Sequence, residues 1–204
     1  MVKYILCIFF TPLLFAGSEY IDNICEKFNR EFTILNLSAG DGDTAFEIAE
    51  KFPLAKCIMT EDNNPRSRSL ANKLLERCKL SRIENTPLLL NKRFNNSDLK
   101  AFSESSYFDI TIILGKNYYT NKKAFKGLED YVDSLLNLSW HTFIECKENS
   151  PIGGILTAKE PADMIPLENE NILFYFVKEK TSLKRRHLIG KVNPTPINTT
   201  YTEN

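Results

Sequence analysis

Histidine is nearly missing from this 204-residue chain, at two residues, and none of its five cysteines form a Cys-x-x-Cys pair. Ligand clusters with zinc spacing are therefore excluded, and no metal site is expected. His141 and His187 have no Ser, Cys or carboxylate at a spacing that makes a nucleophile and its base legible, so no catalytic residue can be named on that ground. Neither sign of charge is in excess, with 26 Lys plus Arg against 26 Asp plus Glu, which removes the general electrostatic reason to expect nucleic acid. Glycine and proline are sparse, at 8 and 9 residues, and no segment recurs at a fixed period. Collagen-like, linker-like, solenoid and propeller architectures are excluded together.

What the chain does have is 43% apolar residues, enough for one ordinary globular domain. Its first 18 residues carry Lys3, an apolar run from Tyr4 to Phe10 continued by Leu13, Leu14 and Phe15, and then the small residues Ala16, Gly17 and Ser18. That is the layout of a secretory signal cleaved before Glu19, with a buried N-terminal helix or a membrane anchor as the alternative. Cleavage would place the protein in the secretory pathway; retention leaves it cytoplasmic or associated with a membrane through its N-terminus. The remaining cysteines, Cys25, Cys57, Cys78 and Cys146, lie far apart in helix-like or strand-like segments. They read as small core residues, with disulfides an option if the chain is exported.

From residue 20 short apolar runs alternate with helically spaced segments. Strands are expected at Thr33 to Leu37, Lys56 to Thr60, Pro87 to Leu90, Phe108 to Leu114, Trp140 to Cys146, Ile172 to Val177 and Ser182 to Val192, the last two as a hairpin. Helices are expected at Tyr20 to Phe28, Thr44 to Phe52, Arg66 to Cys78, from Ser97, and at Lys122 to Leu136. Residues 147 to 170, rich in Pro and Gly, read as loop with at most a short helix or strand, and 193 to 204 as a disordered tail. Alternation of this kind specifies an α/β fold, a Rossmann-like doubly wound seven-stranded sheet, mostly parallel with a C-terminal antiparallel hairpin, over residues 19 to 192.

The turn after the first strand reads Ile34-Leu35-Asn36-Leu37-Ser38-Ala39-Gly40-Asp41-Gly42. Two glycines at a strand-to-helix turn let backbone approach a bound nucleotide, and Glu61, about twenty residues on at the end of the second strand, can accept hydrogen bonds from ribose hydroxyls. At these residues, and at Phe52-Pro53-Leu54-Ala55-Lys56 and Phe108-Asp109-Ile110, the chain resembles the class I S-adenosylmethionine-dependent methyltransferases. The resemblance implies S-adenosylmethionine as cofactor, with Asn36, Ser38, Gly40, Gly42, Glu61 and Asn91 around it and Asn117, Tyr118 and Tyr119 toward the acceptor. It departs from the family at three of these positions: Asn36 stands where a carboxylate toward the methionine amino group is usual, Ser38 where the first glycine belongs, and Asn91 where an Asp is more usual near the adenine.

The implied activity is methyl transfer to a small-molecule or protein acceptor, in which the cofactor supplies the electrophile and the protein supplies orientation. Asn36, Ser38 and the signal-like N-terminus also fit a second reading, a methyltransferase-like fold that acts without catalysis as a secreted or membrane-associated interaction module. A nicotinamide-dependent oxidoreductase would share the turn and the acid but not the closing hairpin strand.

Overall fold

The computed structural model describes residues 16–37, 39–60, 65–90, 96–104, 108–114, 127–167 and 170–178. In chain order the elements are α1 (Ala16–Cys25), β1 (Phe32–Leu37), α2 (Asp43–Lys51), β2 (Ala55–Thr60), α3 (Pro65–Leu80), β3 (Leu88–Leu90), α4 (Asn96–Ser103), β4 (Phe108–Ile113), α5 (Leu128–Leu136), β5 (Ser139–Lys147), α6 (Pro151–Ala158), β6 (Asp163–Pro166) and β7 (Asn171–Val177). The strands form one seven-stranded sheet in the order β3-β2-β1-β4-β5-β7-β6. The first five run parallel, and β7 enters antiparallel between β5 and β6. The expected doubly wound sheet with a C-terminal antiparallel pair is therefore present.

Burial on both faces explains why the central strands read as continuous apolar runs rather than alternations. In β4, Ile110 and Ile112 face a cluster built with α1, α2 and α3, while Phe108 and Ile113 face one built with α4, α5 and α6. β1 divides the same way, Phe32 and Ile34 toward the first cluster and Leu35 and Leu37 toward the second. The sheet registers then align Met59, Asn36, Ile112, Phe143 and Tyr175 in one row across five strands. Four of the five belong to the first cluster; Asn36, the fifth, is a buried amide.

Two expectations need correction. Residues 147 to 170 hold both a helix and a strand. Ser150 Oγ accepts from Gly153 N at 3.0 Å and Pro151 takes the first helical position, a favourable start for α6. A Cβ at Gly153 would collide with the carbonyls of Lys147 and Glu148, so the glycine that reads as a breaker is what lets the helix close against the end of β5. The antiparallel partner next to β7 in sequence is β6, not Ser182 to Val192: β7 has β5 along one edge and β6 along the other. Residues 182 to 192 lie outside the described residues, as do 1 to 15 and 193 to 204.

α1 begins within the small-residue stretch expected to form a cleavage site, and the Ser18 to Glu19 bond lies inside it. Gly17 is buried against Leu167 and Leu173. Tyr20 packs edge-on to Phe143 and Tyr175, and Ile21, Ile24 and Cys25 enter the first cluster. Burial and the hydrogen-bonded Asp163 carboxylate push the Tyr20 phenol up to about 12. Phe28, expected in the same helix, stacks on Phe32 beyond its end. His141 shares a 2.8 Å hydrogen bond with Tyr175 OH and serves the core, not a catalytic pair.

At the opposite end of the sheet from the glycine turn, one carboxylate ties β4 to β1. Asp109 Oδ2 accepts from Thr33 N at 2.8 Å and from Thr33 Oγ1 at 3.1 Å, while Arg30 Nη2 donates to Oδ1 at 2.6 Å. Its side chain is 13% exposed, so the bonds to Thr33 are partly shielded from water, while the Arg30 side of the pair is solvated. Asp109→Ala leaves the Thr33 amide and hydroxyl without their acceptor and is expected to cost about 2 to 3 kcal/mol in urea denaturation; a loss below about 0.5 kcal/mol contradicts this role.

All four described cysteines are free thiols. Burial pushes Cys25 up to about 12, with the nearby Asp22 carboxylate adding to it, and burial alone pushes Cys57 up to about 12. A thiol whose pKa is raised on folding stabilises the fold below its unfolded value near 8.5, and that contribution is lost as pH rises toward 12. Stability is expected to fall from about pH 9 upward, and the fall to shrink in Cys25→Ala with Cys57→Ala. Equal alkaline destabilisation in that double variant contradicts the assignment.

Candidate functional site

The carboxyl edge of the parallel strands is where an open α/β sheet offers its crevice, and β1 ends there in the glycine turn. Ala39 N donates to Thr60 O at 3.0 Å, fastening the turn to the end of β2, and Gly42 N returns to Ala39 O at 2.9 Å. Gly40 and Gly42 both lie in the left-handed region, at φ 61° and 84°, where a Cβ is disfavoured. Their surroundings differ. A Cβ on Gly42 would stand 2.5 Å from Leu74 Cδ2 and 3.1 Å from Met59 Sδ, so this glycine lets α2 start tight against β2 and α3. A Cβ on Gly40 would meet no atom of the described residues within 4 Å, so among them this glycine borders open space.

A second layer holds the turn, and no local sequence signal announces it. Arg77 on α3 donates from Nη1 to Asp41 O at 3.1 Å and pairs with Asp43 at 2.5 Å, while its guanidinium lies 4.2 Å from the centre of the Phe46 ring. Asp41 Oδ1 accepts from Asp43 N at 3.3 Å. The pair of Arg77 with Asp43 is largely solvated and adds little stability by itself; its bond to the Asp41 carbonyl fixes backbone beside Gly40. In sequence Arg77 is merely one cation on the polar side of a helix.

Asn36, Gly40 and Gly42 are thus brought together at the end of β1. Asn36 is 3% exposed, a buried amide in the row between Met59 and Ile112. Ser38, Glu61, Asn91, Asn117, Tyr118 and Tyr119 lie outside the described residues. Sequence reasoning passed over Glu145 near the end of β5. It accepts from Asn171 Nδ2 at 2.7 Å, and the registers place it one step beyond Phe143 on the same sheet face. No group of three or more His, Cys, Asp or Glu among the described residues is arranged to hold a metal ion.

No family model and no curated protein matches the chain. Solved structures do. The chain is similar to human methyltransferase-like protein 13, solved with S-adenosylhomocysteine, at 12% identity and TM-score 0.56 over 83% of this chain and 85% of that one. It is similar to the magnesium protoporphyrin IX methyltransferase of Synechocystis, solved with S-adenosylmethionine, at 9% identity and TM-score 0.55 over 80% of each chain. It is also similar to an O-methyltransferase family protein from Burkholderia thailandensis, at 12% identity and TM-score 0.53, over 81% of this chain but only 57% of that one. Likeness at this identity establishes a class I methyltransferase-like fold.

The two glycines are expected to respond differently to alanine. Gly40→Ala carries only the left-handed backbone cost, about 1 to 2 kcal/mol, whereas Gly42→Ala adds overpacking against Leu74 and Met59 and should cost about 2 to 4 kcal/mol. Chemical denaturation checks the order; equal losses contradict the division between an open glycine and a packed one.

Proposed function

We propose that the chain binds S-adenosylmethionine at the β1 to α2 turn and transfers its methyl group to a small-molecule or protein acceptor. One observation carries the reading: a left-handed Gly40, with no described atom within 4 Å of where its Cβ would stand, follows the carboxyl end of β1. Support comes from neighbours of the same fold that were solved with S-adenosylmethionine or S-adenosylhomocysteine. The residues present fit such a ligand, because the open side of Gly40 leaves backbone within reach of it.

When bound, the cofactor supplies a methyl group already activated on a sulfonium, so the chain's task is to hold and orient. Gly40 lets backbone close on the ligand, Asn36 and Ser38 line the amino-acid end, Glu61 takes the ribose hydroxyls and Asn91 stands by the adenine. Asn117, Tyr118 and Tyr119, which follow β4 in sequence, are the acceptor-side residues of this reading. Arg77 is a positioning residue, acting through the Asp41 carbonyl.

Isothermal titration of the full chain with S-adenosylmethionine is expected to give measurable heat, and Glu61→Ala to weaken binding by about 1 to 3 kcal/mol. Unchanged affinity in Glu61→Ala misplaces the ribose. No heat at millimolar ligand rejects the enzyme reading in favour of a non-catalytic interaction module, secreted or held at a membrane by the apolar run before α1.

A further inference from the structure

We infer that residues 1 to 18 stay on the protein and that their apolar run seats the carboxyl edge of the sheet on a lipid bilayer. α1 carries this inference, which is independent of the cofactor reading. Cleavage before Glu19 would strip Ala16, Gly17 and Ser18 from the start of that helix. Gly17 is buried, and a Cβ there would stand 3.2 Å from Leu173 Cδ2 and 3.4 Å from Leu167 Cδ2, so the helix begins in close contact with β7 and with the residue after β6. The residues that cleavage would remove are therefore part of the packed domain.

The strand registers fix where the chain enters it. Leu37, Ile113, Ile144 and Phe174 share one row, and Glu145, Leu173 and Ile165 lie one step beyond it, level with the start of the glycine turn. Gly17 meets Leu173 at that level. Further along α1, Tyr20 reaches Phe143 and Tyr175, one step back from the Leu37 row, and past the helix Phe28 stacks on Phe32 at the beginning of β1. α1 thus descends from the carboxyl edge to the amino edge. Leu13, Leu14 and Phe15 precede it with no spacer, and at no more than about 3.6 Å per residue they stay within about 11 Å of its start.

Tyr4 to Phe15 is a run of twelve residues without a charge, against the roughly twenty needed to cross the hydrocarbon core. Such a run inserts from one side and holds what it is joined to at the interface. Lys3 is the one charge ahead of it, so the seat depends on apolar insertion and needs no anionic lipid. The opposite end of the sheet suits water: Arg30 is 60% exposed there, and Lys56 pairs with Glu31 in the open.

Mass spectrometry of the native chain is expected to find an N-terminal peptide beginning at Met1 or Val2; one beginning at Glu19 overturns the inference. Floated through a density gradient with phosphatidylcholine vesicles, the full chain is expected to rise with the lipid. Phe9→Asp combined with Leu13→Asp is expected to lower the bound fraction by about tenfold or more. A wild-type chain that stays at the bottom overturns the seat, as does a variant that floats like the wild type. Should the variant melt lower, the N-terminal peptide and wild-type flotation decide by themselves. Hydrogen exchange on the vesicles reads the orientation, with slowing expected at Asp41, Glu148 and Asn149 and none at Glu31 and Leu54; slowing centred on the last two overturns it.

Discussion

Everything at the candidate site depends on how the chain leaves β1. Two residues with positive φ reverse its direction within four residues, and the reversal is held by the bond from Ala39 N to Thr60 O and by Leu74 and Met59 pressing where Gly42 has no side chain. Because Gly42 is packed, α2 starts flush against β2 and α3; because Gly40 is not, the backbone beside it stays open. One turn thus has a packed half and an open half. The sheet supplies the rigidity behind it, since β1 is flanked along its length by β2 and β4 and buried on both faces.

Polarity is distributed along the two ends of that sheet in opposite ways. At the amino end, Asp109 is engaged with Arg30 and Thr33, which joins β1 to β4. At the carboxyl end, Asn36 is a buried amide between the apolar Met59 and Ile112 of its row.

Much of this was legible in sequence because it is written locally. Apolar runs such as Phe108 to Ile113 specify strands buried on both faces, and the glycine pair specifies a turn needing positive φ; both appear where expected. The misread stretch, 147 to 170, fails for the complementary reason. Its Pro and Gly residues look like breakers until Gly153 is seen to close on the carbonyls of Lys147 and Glu148, and until β7 is seen to offer an edge to β6. The hold of Arg77 on the turn is equally invisible, since it joins residues more than thirty apart by a bond that no periodicity marks. Asn36 could be located from sequence, but its burial is a property of the packed sheet.

The central claim is that the ligand sits on the open half of this turn, and heteronuclear NMR of the full chain titrated with S-adenosylhomocysteine tests it most directly. The account predicts that the largest shifts fall on the backbone amides of Gly40 and Asp41 and on the side-chain amide of Asn36, with Gly153 and the α6 amides unmoved. Shifts centred on α5 and α6, or none near Gly40 at saturating ligand, would contradict it.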